Sequence, residues 1–330
     1  MTRPDDSDRG VTWLLAAAAG LGIAALLAAR LRDPERRRLD GEVRARAPGS
    51  FQRLAHGWTH YEDRGPRAGQ PVILIHGFSV PAYIWDATVP ALAESGFRVI
   101  RYDLYGRGYS DRPRTSYGRE LFEAQLSGLL DALEIRSPVD LVGLSMGGAI
   151  AAGFTDRHPE RVRRLVFIDP YTVRRRIGPL AIRGVGEFLA TVHFVPALLR
   201  RQHGDVRDTP WFSPWVAAYR DQSELQGFRR ALLATARDFI GREPLPLFEA
   251  AARHDKPTLL IWGERDTTVP VAASHRLREI LDPEFILVRG AGHVPHAQRP
   301  DIVNPALVGF LKRRWRRAGD DEERPLPELQ

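Results

Sequence analysis

The stretch from Val139 to Ala152 constrains the fold more than any other part of the chain. Val139-Asp140-Leu141-Val142-Gly143-Leu144 is a short apolar run of the length expected of a buried strand. It passes directly into Ser145-Met146-Gly147-Gly148 and then Ala149-Ile150-Ala151-Ala152, which reads as the opening of a helix. A serine lifted above the end of a sheet at such a junction must sit on a strained backbone turn. Gly143 and Gly147 carry no side chains, so strand and helix can approach closely around Ser145. Gly-x-Ser-x-Gly in this setting is the pattern of a nucleophile elbow.

A serine nucleophile needs a base and an orienting acid from elsewhere in the fold. The apolar run Pro257-Thr258-Leu259-Leu260-Ile261 ends in the Gly-containing segment Trp262-Gly263-Glu264-Arg265-Asp266. That places Asp266 just past the C-terminal end of a buried strand, where functional groups of open α/β sheets collect. Phe285-Ile286-Leu287-Val288 is a further strand, and Gly290-Ala291-Gly292-His293 follows it as a glycine-rich loop carrying a histidine. Asp169, after the strand Arg164-Leu165-Val166-Phe167-Ile168, is the rival acid, and His296 is a second histidine close to His293.

The rest of the chain supplies a frame for these groups. Trp58 to Glu62, Val72 to Ile75 and Arg98 to Tyr102 read as strands. Ile84 to Ser95 reads as a helix closed by Gly96, and Leu121 to Leu133 as a longer amphipathic helix. Alternation of strand and helix predicts a mostly parallel central sheet with helices on both faces. From Tyr171 to about Ala252 the alternation stops, and the segment is rich in Pro, Arg, Trp and Phe, including Phe188, Phe194, Trp211, Phe212, Trp215 and Phe239.

Four blocks in order, His76-Gly77-Phe78, Asp103 to Ser110, Gly143 to Gly147 and Gly292-His293, make the chain resemble the α/β-hydrolase superfamily, and its lipase and esterase branch most closely. The resemblance covers roughly Trp58 to Trp315. It implies a catalytic triad of Ser145, Asp266 and His293, in the order serine, acid, histidine. It also implies an oxyanion hole from the backbone N–H groups of Phe78 and Met146, and structural roles for Asp103 and His76. Relatives often carry Glu where Gln298 stands. The residues 171–252 fall where the family carries a helical cap, between core segments 51–170 and 253–317. Acyl transfer of this kind needs no metal or organic cofactor. The expected substrate is a small-molecule or lipid ester such as a monoacylglycerol. Another serine-nucleophile activity (carbon–carbon bond hydrolase, proline iminopeptidase or cofactor-free perhydrolase) and a non-catalytic ligand receptor are the alternatives.

Residues from Gly10 to Ala29 form a run of 20 without charge, enough to span a bilayer as a helix, and Arg30, Arg32, Arg36, Arg37 and Arg38 follow. Segment 1–32 is therefore expected to be a single-pass membrane anchor, with the catalytic domain on the cytoplasmic side. A cleaved secretory signal is the alternative, against which stand the acidic residues Asp5, Asp6 and Asp8 ahead of the run. Residues 33–50 read as a charged linker and 318–330 as an acidic tail. The net charge of +7 suits contact with anionic lipid, while no nucleic-acid recognition motif is present. With no cysteine in the chain, disulfides and thiolate metal sites are excluded.

Overall fold

The computed structural model describes residues 34–206 and 209–313, with Trp13, Gly20 and Gly22. Eight strands form one sheet: β1 (Ser50–Leu54), β2 (Gly57–Arg64), β3 (Pro71–Ile75), β4 (Arg98–Tyr102), β5 (Val139–Leu144), β6 (Val162–Ile168), β7 (Thr258–Gly263) and β8 (Glu284–Val288). Their spatial order is β1-β2-β4-β3-β5-β6-β7-β8. β1 and β2 pair antiparallel, as do β2 and β4, and every other neighbour pair is parallel.

The parallel strands are apolar because both of their faces are covered. Side chains alternate across the sheet. Ile73, Ile75, Leu141, Leu165, Phe167, Leu260 and Trp262 point into one core, and Val72, Leu74, Val142, Leu144, Val166, Leu259 and Ile261 into the other. The first core is closed by α2 (Arg119–Ala132) and α3 (Met146–Arg157), through residues such as Leu126, Leu129 and Ile150. The second is closed by α1 (Val89–Glu94) and by the C-terminal helix Pro300–Lys312, through Leu92, Val303, Leu307 and Phe310.

Sheet order also fixes where a site can form. β3 has β4 on one side and β5 on the other, so the chain leaves β3 in one direction and later returns to its opposite edge. The carboxyl ends of β3 and β5 therefore flank a topological switch point, the usual crevice of an open α/β sheet. His76-Gly77-Phe78 leaves β3 there, and Ser145 leaves β5 beside it.

Between β6 and β7 the described residues form helices and turns, with one isolated β-bridge from Leu225 to Arg37. The main pieces are α4 (Val185–Leu189), α5 (Val195–Val206), α6 (Phe212–Ser223), α7 (Phe228–Thr235) and α8 (Leu245–Ala252). Most of their aromatic side chains pack against each other or the core: Trp211 stacks on Trp215 at 6.0 Å, Tyr219 meets Phe228, and Phe239 meets Phe122. Residues 34–49 run against this helical layer. The Glu35 carboxylate accepts from the backbone N–H of Gly227 (2.8 Å) and of Arg229 at the N-terminus of α7, where the helix dipole favours negative charge.

The single-pass membrane location expected from Gly10–Ala29 is corrected. Among the described residues no helix is long and apolar enough to cross a membrane. Apart from Trp13, Gly20 and Gly22, the segment itself lies outside the described residues, as does the tail 318–330. The cytoplasmic placement of the domain rested on that span and falls with it.

Candidate active site

Ser145 is the first residue past β5 and adopts φ 53° and ψ −117°. Positive φ in a residue with a Cβ costs about 1–3 kcal/mol and persists only where the surroundings enforce it. Three contacts do so here. The Ser145 N–H donates to the Ile168 carbonyl (3.0 Å), and its own carbonyl accepts from the N–H groups of Gly148 (3.0 Å) and Tyr171 (2.9 Å).

The flanking glycines act by lacking side chains. A Cβ on Gly147 would lie 2.2 Å from the Ile75 carbonyl oxygen, and one on Gly143 would lie 2.5 Å from the Gly147 carbonyl. Both obstacles are backbone atoms, of β3 and of α3 respectively, and cannot rotate away. Gly147→Ala is accordingly expected to destabilise the protein by about 1–3 kcal/mol or more. A urea midpoint equal to that of the wild type would contradict the close packing of α3 on β3.

Asp266 and His293 come from the loops after β7 and β8. The Asp266 Oδ2 accepts from His293 Nδ1 at 2.7 Å, and its Oδ1 accepts from the N–H groups of Thr268 (2.6 Å) and Val269 (2.9 Å). The carboxylate is fully buried and the imidazole 12% exposed. With Nδ1 committed as a donor, Nε2 carries the free lone pair. His293 and Ser145 line the same cavity, of about 420 Å³. A further close approach serves this geometry: a Cβ on Gly263 would lie 2.0 Å from the Gly292 carbonyl, so the acid and histidine loops touch backbone to backbone.

Asp169 is also buried, but it does not hold the histidine. Its Oδ1 accepts from the Gly263 N–H at 2.8 Å, and its Oδ2 has no hydrogen-bond partner. Burial, reinforced by the charge of Asp266, raises its pKa well above the carboxylate range. That direction favours its neutral form beside Asp266. His296 faces away from the chemistry: it is buried against Trp85, and its Nε2 donates to the Ile84 carbonyl at 3.0 Å.

The loop after β3 approaches the serine from the other side. A Cβ on Gly77 would sit 3.3 Å from that of Ser145, so glycine lets the loop that carries Phe78 pass close to the serine. Met146 opens α3, where the first N–H groups of a helix lack intrahelical acceptors. Arg107, which no local sequence signal marks, anchors this loop. Its guanidinium is wholly buried, lies over the rings of Phe78 (5.5 Å) and Phe122 (5.6 Å), and donates from Nε to the Phe78 carbonyl at 2.8 Å. Burial without a carboxylate partner lowers its pKa to about 10. Gln222 of α6 ties the helical layer to the same place, accepting from Gly108 N–H (2.9 Å) and donating to the Ser79 carbonyl (3.1 Å). Gln298 accepts from the Gly292 N–H at 2.6 Å, so the amide oxygen there supports the histidine loop.

Asp103 and His76 are structural. Asp103 accepts from His60 Nδ1 (2.8 Å), Ala82 N–H (2.9 Å) and Tyr109 N–H (2.9 Å), and burial is outweighed by His60 and these donors, leaving its pKa at about 2. His76 donates from Nδ1 to the Gly77 carbonyl (2.8 Å) and accepts at Nε2 from the Leu104 N–H (2.9 Å), which only the neutral ring can do.

Burial lowers the pKa of His76 to about 4 and of His296 to about 3. An unfolded chain protonates both near the ordinary value of about 6.5. Below that pH the unfolded state binds protons that the folded state refuses, so stability falls as pH falls from there toward 4 and 3. His60 opposes this, because Asp103 more than offsets burial and raises its pKa. Glu123, raised to about 7 by burial, and Asp169 act in the same sense as His60, so the acid-side loss due to His76 and His296 is partly offset.

With sheet, elbow and histidine–acid pair in place, the chain can be assigned to a class. It matches the model of the alpha/beta hydrolase family over residues 72–306 and belongs to that family. It is 35% identical over 257 residues to the 2-hydroxymuconate semialdehyde hydrolase of a Pseudomonas species, covering 73% of this chain and 87% of the relative. It is 29% identical over 266 residues to a non-heme chloroperoxidase of Streptomyces lividans, covering 76% and 95%. Among solved structures, the meta-cleavage product hydrolase from Pseudomonas fluorescens matches with a TM-score of 0.66 and 28% identity, over 80% of this chain and 97% of that one. None of these three is named as acting on a lipid ester.

Proposed function

We propose that this protein is a serine hydrolase that cleaves a carboxylic ester through an acyl-enzyme. The observation that carries this reading is the buried Asp266–His293 pair, whose free ring nitrogen shares one cavity with the strained Ser145. Ser145 Oγ attacks the acyl carbon while His293 Nε2 takes its proton. Asp266 holds the ring in the required tautomer and stabilises the imidazolium. The N–H groups of Phe78 and Met146 receive the developing oxyanion, the second helped by the positive end of α3; one such donor is typically worth about 2.7–4 kcal/mol of barrier. Protonation of the leaving group by His293 releases the first product, and water then cleaves the acyl-enzyme by the same steps. The cavity lining is largely apolar, with Phe194, Leu198 and Ile240 among its walls, which suits an acyl chain of small-molecule size.

A second reading, carbon–carbon bond hydrolysis, is supported by the resemblance to hydrolases of 2-hydroxymuconate semialdehyde and of meta-cleavage products. One pair of assays tests both. Covalent labelling of folded wild-type protein by a fluorophosphonate is expected, and its failure would overturn either reading. Parallel turnover of p-nitrophenyl esters and of 2-hydroxymuconate semialdehyde then decides between them; ester turnover near background beside rapid consumption of the semialdehyde would exclude the first.

A further inference from the structure

The cavity around Ser145 is electrostatically one-sided. Its charged walls are Arg175, Arg176 and Arg201, and among the described residues no Asp or Glu side chain lines it. Several arginines elsewhere in the described residues are matched with carboxylates, Arg98 with Asp63, Arg101 with Glu62 and Asp86, Arg163 with Asp140, Arg237 with Glu187, while others such as Arg107 and Arg230 bond carbonyls instead. None of the three cavity arginines has a carboxylate within ion-pair distance among the described residues. Two of them converge on one residue. Arg175 donates from Nη2 to the Thr268 carbonyl, and Arg201 donates from Nη2 to the Thr268 hydroxyl at 2.8 Å. Thr268 in turn donates its N–H to Asp266, so this cationic wall is built onto the loop of the candidate catalytic acid.

A guanidinium has five donors, and each of these bonds uses one. All three side chains are exposed where they line the cavity, so their remaining donors are open to solvent and to a ligand, while the other walls are mostly apolar. Like charges gathered there repel one another, and an anion among them removes that cost while forming charge-assisted hydrogen bonds. We infer that the substrate carries an anionic carboxylate on the part of the molecule that lies against Arg175, Arg176 and Arg201, with the apolar remainder in the cavity. This inference rests on the serine-hydrolase reading and narrows its substrate class to acidic acyl compounds.

Matched substrates provide the test. The mono-p-nitrophenyl ester of adipic acid and p-nitrophenyl hexanoate have acyl chains of equal length and differ in the terminal carboxylate. In the wild type, kcat/KM for the acidic ester is expected to exceed that for the neutral one by about ten-fold or more, chiefly through KM. The ratio should fall toward one in the double variant Arg175→Gln/Arg201→Gln and at about 0.5 M NaCl, which screens the charges. It should recover in Arg175→Lys/Arg201→Lys and stay unchanged in Arg276→Ala, an exposed arginine paired with Glu249 and Glu279. A ratio of one or below in the wild type, or one unmoved by the double variant, overturns the inference while leaving ester hydrolysis standing. If neither ester is turned over, calorimetric titration with adipate reads the same site without catalysis: binding lost in the double variant supports the anionic subsite, and no binding at millimolar adipate overturns it. Fluorophosphonate labelling reports separately on Ser145.

Discussion

Replacement of Ser145 by alanine is expected to lower kcat for the best ester substrate by about 10⁶-fold, to the residue left by binding and oxyanion stabilisation. The loss should come without unfolding, because the contacts that hold the elbow are made by backbone atoms of Ser145 and survive removal of the hydroxyl. Removing Oγ also removes one polar atom from a strained position, so the urea midpoint should stay close to that of the wild type. The measurement is turnover together with circular dichroism and a burst assay. A variant that keeps its fold and more than about one per cent of wild-type kcat would place the nucleophile elsewhere, since loss of a triad serine acting with its histidine removes far more than that.

The second large effect separates two buried carboxyl groups. Asp266→Asn keeps the shape of the side chain but no longer compels His293 to carry its proton on Nδ1, and a loss of about 10⁴-fold in kcat is expected. Asp169→Asn should cost far less. Burial and the charge of Asp266 favour the neutral form of Asp169, and its bond to the Gly263 N–H can be kept by the amide oxygen of asparagine. The ordering matters more than the absolute values. If Asp169→Asn were the more damaging change, the acid would belong to the end of β6, and the Asp266–His293 bond would be structural. A pH profile of kcat/KM adds a second reading, because loss of the true acid shifts the limb that reports the histidine.

Much of the frame could be read from the chain because its signals are local. β4 runs over Arg98–Tyr102, where an apolar alternating run stands between Gly96 and the Asp103 turn. Other elements were hidden by physics that a local reading cannot see. The helix expected over Ile84 to Ser95 is a short 3₁₀ turn at Ala82–Trp85 followed by a helix at Val89–Glu94. Pro90 lacks an N–H and fits only in a helix's first turn, so it resets the start. β1 is polar and half-exposed, and only pairing with β2 at the sheet edge makes Ser50–Leu54 a strand. Glu35 looks like one charge among many in a charged run, and its partners lie nearly two hundred residues away in sequence.

The same division holds at the site. Ser145, Asp266 and His293 each sit where a strand ends in a small-residue loop, and that context is written beside them. Arg107 offers no such cue. It lies between two glycines in a block that reads as a turn, and its contact with the Phe78 carbonyl appears only when β3 and β4 lie side by side. Nor could the chain say which aromatics of the helical layer reach the cavity: Phe194 and Tyr171 do, while Trp211, Trp215 and Phe239 are not among its walls.

The topology also sets an order in time. The oxyanion loop and the nucleophile leave neighbouring strands, β3 and β5, whereas the acid and the histidine wait on β7 and β8, the last two strands of the sheet. Between the two halves the chain must first make the whole helical layer. A growing chain that has folded its first six strands therefore displays a shaped serine elbow with no base to activate it. On the proposed mechanism reactivity waits for β8 to dock at the far edge, so a chain ended before His293 lacks the base that would activate the elbow.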